Sequence, residues 1–111
     1  ERFLTDDARH LCVAFGTAAR VARSAVLAAR EEGLRVGLVR PITLWPFPGE
    51  TIADLASRVD GVLTVEMNTG QMVEDVERAV AGRTAVRFVG RQGGVVPSPD
   101  ELVEAMREAF R

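Results

Sequence analysis

Leu11-Cys12-Val13-Ala14-Phe15 sets five apolar side chains in succession, and Gly16-Thr17 follows at once. A strand with one wet face alternates polar and apolar residues; an unbroken apolar run suits a parallel strand covered on both faces. Further runs at Val36–Val39, Val62–Val65 and Val86–Val89 follow at intervals of about 25 residues, the spacing of repeated βα units. Helical patterns fill the gaps. Ala18–Glu32, rich in Ala and Arg, reads as a helix stopped by Gly33 as its C-cap. Thr51–Val59 aligns Ile52, Leu55, Ala56 and Val59, and Gln71–Ala81 aligns Met72, Val73, Val76 and Val80. Leu102, Val103, Met106 and Phe110 line one face of a last helix. Its start, Ser98-Pro99-Asp100-Glu101, is a capping box with Pro at the first helical position. Asn68 and Gln71 form an analogous pair before the helix they precede. Glu1–Leu4 is expected to add a short edge strand, and Thr5–Arg9 a turn into the sheet. The reading is one α/β domain over residues 1–111, three α/β/α layers around a mostly parallel sheet, with no linker dividing it.

The chain has 111 residues, enough for one core without staples. Hydrophobic residues at 47% and charged residues at 27% are those of a globular protein, not of a low-complexity segment. No apolar run approaches the roughly 20 residues of a membrane span, and no signal-peptide pattern opens the chain, so no membrane partner is expected. A net charge of -2, with the arginines spread along the chain as solvated faces and ion pairs, argues against nucleic acid. One cysteine, Cys12, excludes an internal disulfide and fits a reducing, cytoplasmic location. The sequence starts at Glu1 rather than Met and is expected to be a piece of a longer polypeptide.

Arg40-Pro41-Ile42-Thr43-Leu44-Trp45-Pro46-Phe47-Pro48 can be neither helix interior nor central strand. It gives a surface loop large apolar side chains. Pro41, Leu44, Trp45, Pro46, Phe47 and Pro48 are therefore candidate interface residues, with Trp45 and Phe47 as anchors. The competing account folds the two rings back over the domain's own core.

A second candidate is the crevice formed where strand order reverses in an open α/β sheet. Should the first and third parallel runs be neighbours, Gly16, Thr17, Glu66 and Asn68 share it. Capping accounts for Gly16-Thr17 and for Asn68 with Gln71 more simply, while Glu66 pairs with an arginine. Gly90-Arg91-Gln92-Gly93-Gly94 lacks the Lys-Ser or Lys-Thr of a phosphate-binding loop. His10, the only histidine, has no nearby Cys or second His to complete a metal site, and Cys12 reads as a small buried hydrophobe. No histidine is placed to activate Ser24, Ser57 or Ser98. No catalytic or metal-ligating set is expected.

Taken together, Ala14-Phe15-Gly16-Thr17, Gly37 through Pro48, Val65-Glu66-Met67-Asn68-Thr69-Gly70-Gln71-Met72 and Gly93-Gly94-Val95-Val96-Pro97 resemble the C-terminal part of the alpha subunit of 2-oxoacid:ferredoxin oxidoreductases. The 2-oxoisovalerate type matches best and the 2-oxoglutarate type next. The Pro-rich and Glu-Met-Asn segments are the specific ones. The resemblance implies a fold like the transketolase C-terminal domain: five strands in the order 1-3-2-4-5, strand 1 antiparallel, with Glu1–Leu4 as that edge.

It also implies a parent complex using thiamine diphosphate, magnesium and iron–sulfur clusters to decarboxylate a 2-oxoacid, yielding acyl-coenzyme A and reduced ferredoxin. Other domains would hold the cofactors, and this one would pack against them and the other subunits. One Cys cannot supply the four thiolates of a cluster, and no Asp-Asn magnesium motif is present, so no cofactor is expected on the chain itself. The expected function is a non-catalytic assembly domain. The alternative is an anion- or small-molecule-binding regulatory module using the strand-end crevice.

Overall fold

The computed structural model describes residues 2–14, 17–40, 49–66, 76–78, 80, 85–90 and 98–110. Their order is β1 (Arg2–Phe3), β2 (His10–Ala14), α1 (Thr17–Glu31), β3 (Val36–Val39), α2 (Gly49–Ala56), β4 (Gly61–Glu66), β5 (Ala85–Gly90) and α3 (Pro99–Phe110). Residues 76–78 and 80 are helical. The strands form one mixed sheet in the order β1-β3-β2-β4-β5. β3, β2, β4 and β5 run parallel to one another, and β1 pairs antiparallel with β3 through Arg2 with Val39 and Phe3 with Leu38.

The unbroken apolar runs are explained by helices on both faces. Cys12, Ala14, Val36, Leu38, Leu63 and Val65 point to the side of α1 and α3. Leu11, Val13, Val39 and Val62 point to α2 and to Val76 and Val80. β2, β3 and β4 thus split their residues between two cores, as the two-residue period of a strand requires.

Local chemistry sets the helix ends. Ser98 Oγ accepts from the Glu101 amide, and Glu101 Oε1 accepts from the Ser98 amide, both at 3.2 Å, completing the capping box of α3. Gly33 takes φ +91° just after α1, and the Gly33 and Leu34 amides bond the Arg30 and Ala29 carbonyls. The helix expected over Thr51–Val59 begins at Gly49 and stops at Ala56. Beyond Ala56 the Arg58 amide turns to Leu55 O at 3.0 Å, a three-residue closure, so the last turn tightens and ends. Val59 therefore leaves the helix, yet still packs against the core.

The segment after β1 crosses close over β3. An added Cβ at Gly37 would sit 2.9 Å from Leu4 O and 3.0 Å from both Thr5 Cα and Ala8 Cβ, so only glycine fits. Arg30 fastens the segment down. Its Nε donates to Val36 O at 2.8 Å, its Nη2 to Leu4 O at 2.6 Å, and its guanidinium forks onto the Asp7 carboxylate. Leu4 itself is held at φ 55°, a conformation a non-glycine residue adopts only when its surroundings hold it there.

Candidate functional site

The carboxyl ends of β2 and β4 lie side by side, with Ala14 opposite Val65. From β2 the chain passes through α1 on one face to β3, then returns through α2 on the other face to β4. Strand order therefore reverses between β2 and β4, the place where open α/β sheets form a crevice. Thr17 opens α1 beside it, and Glu66 ends β4 opposite Gly90 of β5. The backbones of Thr17 and Glu66 thus belong to this end of the sheet. Gly16 and Asn68 lie outside the described residues, as do Pro41, Leu44, Trp45, Pro46, Phe47 and Pro48. Two positions below the end of β4, the Thr64 hydroxyl is buried without a hydrogen-bond partner. Its place in an otherwise apolar Val62–Val65 run was the one sequence signal for it.

The amino ends of the strands carry a different group. Arg9 Nε and Nη2 both donate to Asp60 Oδ2, at 3.2 and 2.7 Å, and hold that carboxyl below its ordinary value. The His10 ring stacks on Phe110 at the end of α3, with centroids 4.4 Å apart and planes within 12°. Burial lowers the His10 pKa, partly opposed by the Asp60 charge, while Arg9 lowers it further. Its Nδ1 is enclosed without a partner. A shallow cleft of about 250 Å³ lies alongside, lined by Arg9, His10, Gly33, Leu34, Arg35 and Asp60. Its two guanidinium groups, imidazole and carboxylate include one pair already satisfied by each other, so no single ligand charge is selected. His10 thus anchors a helix by stacking, a role no sequence pattern links to a partner 100 positions away.

Cys12 is fully enclosed in the sheet, and burial pushes its thiol up to about 12. A thiol so placed supplies neither a nucleophile nor a cluster ligand at neutral pH. Among the described residues no group of three or more His, Cys, Asp or Glu side chains could hold a metal ion. With Cys12 the single cysteine of the chain, the four thiolates of an iron–sulfur cluster are not available on it. Among them, too, no helix is long and apolar enough to cross a membrane.

A family model described as pyruvate:ferredoxin oxidoreductase core domain II matches residues 8–102. Ketoisovalerate oxidoreductase subunit VorB of Methanothermobacter thermautotrophicus is 47% identical over 108 residues, 97% of this chain and 30% of that protein. Its counterpart in Methanothermobacter marburgensis is 44% identical over the same shares. 2-Oxoglutarate synthase subunit KorA of Methanothermobacter thermautotrophicus is 38% identical over 97% of this chain and 29% of its own length. The chain thus spans less than a third of these relatives. Among solved structures, a 2-oxoglutarate:ferredoxin oxidoreductase from Magnetococcus marinus superposes with a TM-score of 0.74 at 22% identity, over 91% of this chain and 18% of that one. A split-gene transketolase, an inactive β4 tetramer, reaches 0.82 at 18% identity over 99% of this chain and 41% of its own. At such identities the two structures speak for the fold alone.

Proposed function

From a chain that belongs to the pyruvate:ferredoxin oxidoreductase core domain II family, we propose an assembly domain of a thiamine diphosphate-dependent 2-oxoacid:ferredoxin oxidoreductase acting on 2-oxoisovalerate. The carrying observation is 47% identity to a ketoisovalerate oxidoreductase subunit over nearly the whole chain, against 38% for a 2-oxoglutarate synthase subunit. On this reading residues 1–111 are one domain of a longer cytoplasmic subunit, and its partners are the remaining domains and the companion subunits. Thiamine diphosphate, magnesium and iron–sulfur clusters reside in those partners, where they supply decarboxylation and electron transfer to ferredoxin with formation of acyl-coenzyme A. This chain's own residues pack and orient. A two-sided core, the Gly33 stop of α1 and the capping box that starts α3 fix the elements relative to one another, and Pro41, Leu44, Trp45, Pro46, Phe47 and Pro48 are the proposed apolar contact with the companions.

The test is the full-length subunit assembled with its companions, assayed for coenzyme A-dependent dye reduction. Faster turnover with 2-oxoisovalerate than with 2-oxoglutarate is expected; the reverse order overturns the substrate. Unchanged complex formation in a Trp45→Ala, Phe47→Ala double variant overturns the role of the Pro-rich segment. The 111 residues alone, supplied with thiamine diphosphate, are expected to show no turnover.

One observation favours a second reading, an anion- or small-molecule-binding module: the order reversal between β2 and β4, beside which Gly16, Thr17, Glu66 and Asn68 stand in sequence. Calorimetry of the chain with coenzyme A, a nucleotide or sulfate tests it, and absence of heat at millimolar ligand removes it.

A further inference from the structure

The His10 ring stands between two alternatives at the amino end of β2. On one side it stacks on Phe110, with centroids 4.4 Å apart and planes within 12°. Phe110 is buried and closes the last turn of α3. Gly61 lies directly opposite His10 on β4. A Cβ there would sit 3.5 Å from the Phe110 ring and 3.9 Å from His10 Nδ1, so the phenyl ring and this nitrogen meet over one glycine. Nδ1 is enclosed and has no hydrogen-bond partner. On the other side lies the cleft of about 250 Å³ that His10 shares with Arg9, Arg35 and Asp60. Both Arg9 donors fall on Asp60 Oδ2, and among the described residues none takes Oδ1.

A neutral imidazole suits the stack and an imidazolium does not. Once charged, both ring nitrogens donate, and an enclosed N–H without an acceptor carries its full desolvation penalty. Attraction between the cation and the phenyl face opposes this, but it is small at a partly solvated site. Burial accordingly dominates and lowers the His10 pKa, while Asp60 raises it and Arg9 lowers it. These charges, with Arg35 lining the same cleft, face the ring among the described residues. α3 presents the Phe110 ring, and its Arg107 is held by Glu32 and Glu104. In the cleft an imidazolium meets water and the Asp60 carboxylate instead.

We propose that protonation of His10 turns its ring off Phe110 into the cleft, toward Asp60 Oδ1, and releases the last turn of α3. The stack is a latch that the neutral ring holds closed. His10 titrates below its ordinary 6.5, so the latch is closed above that pH and opens as pH falls through the lower folded value. The bond from Arg107 to Glu32 keeps the preceding turn on α1, which confines the release to the helix end. The device belongs to this domain and stands apart from the assembly function.

The experiment is amide hydrogen exchange on the full-length subunit, read by mass spectrometry at about pH 7.5 and about pH 5 and corrected for the intrinsic pH dependence of exchange. Peptides covering Glu104–Phe110 are compared with those of α1. The parent protein is expected to lose about 3- to 10-fold in protection at the end of α3 on acidification, the range that one aromatic pair supports, and none in α1. His10→Phe keeps a ring for the stack and cannot be protonated, so it should stay protected at both pH values. Should it fail to fold, His10→Gln serves in its place, with a helix end equally open at both. Asp60→Asn removes the acceptor and should move the transition to lower pH; an unchanged midpoint overturns the turn toward Asp60. A parent protein equally protected at both pH values overturns the latch, as does an acid loss that persists in His10→Phe or His10→Gln.

Discussion

Gly37→Ala tests the crossing of residues 4–8 over β3. The new methyl would lie 2.9 Å from Leu4 O and 3.0 Å from Thr5 Cα and Ala8 Cβ, whereas unstrained contacts sit near 3.5–4.0 Å. Two of the three obstacles belong to backbone, so relief requires the segment to lift by about half an ångström or more. If it stays, the cost is that of overpacking, about 1–3 kcal/mol. If it lifts, the Arg30 bond to Leu4 O weakens, a charged hydrogen bond worth about 1.5–3 kcal/mol. These are alternatives, not a sum. Against them stands about 0.4–1 kcal/mol from the less flexible unfolded chain. The net expectation is a loss of about 1–2 kcal/mol, read as a lower urea midpoint with an unchanged slope. Gly61→Ala is the control. Its methyl would meet the Phe110 ring at 3.5 Å and His10 Nδ1 at 3.9 Å, ordinary contact distances, and should be near neutral. A Gly37→Ala protein as stable as Gly61→Ala, with unshifted amide resonances from Leu4 to Ala8, would refute the close crossing.

Acidification should lower stability in two stages. His10 is depressed below its ordinary 6.5, so its contribution is complete above that pH and fades as pH falls through the lower folded value. Asp7 and Asp60, held below their ordinary 3.8 mainly by hydrogen bonds from Arg30 and Arg9, contribute above that pH and lose this on further acidification. Urea midpoints between pH 7 and 3 should show both stages, and His10→Gln should abolish the first. Cys12 should react with a thiol reagent at pH 8 only after denaturation, since its thiol is buried and raised to about 12; fast labelling of the native chain contradicts its placement. Ser98→Ala should cost about 1 kcal/mol through loss of the cap on α3, measured by the same urea titration. Leu102→Ala, emptying a fully buried site beneath α3, should cost about 2–5 kcal/mol.

The elements that local chemistry dictates were legible in the sequence. An apolar run without alternation says that both faces are covered, whatever covers them, and β2 and β3 are wholly buried apart from His10. Ser98 with Glu101 and Gly33 marked helix ends because caps bond within a few residues. Boundaries were less legible. α2 ends before Val59 although Val59 continues its apolar stripe, because side-chain periodicity does not report the tightening of the backbone there.

The arginines show where reading along the chain stops. Sequence alone spread them over solvated faces and ion pairs, and Arg9 with Asp60, or Arg58 with Asp54, fits that description. Arg30 does not: its side chain is 20% exposed and ties α1, β3 and the first turn together through partners as far as 26 positions away. Arg107 reaches Glu32 across 75 positions and fastens α3 to the end of α1, with Nε to Oε1 at 2.7 Å. Of the candidate crevice, the sequence could name residues after two strands, but only pairing of β2 with β4 makes those strand ends neighbours. Composition, period and caps act over a few residues and are written into the chain. Which strand lies beside which, which glycine is pressed under a crossing segment and which ring meets His10 are settled by long-range packing, whose energy depends on shape in three dimensions.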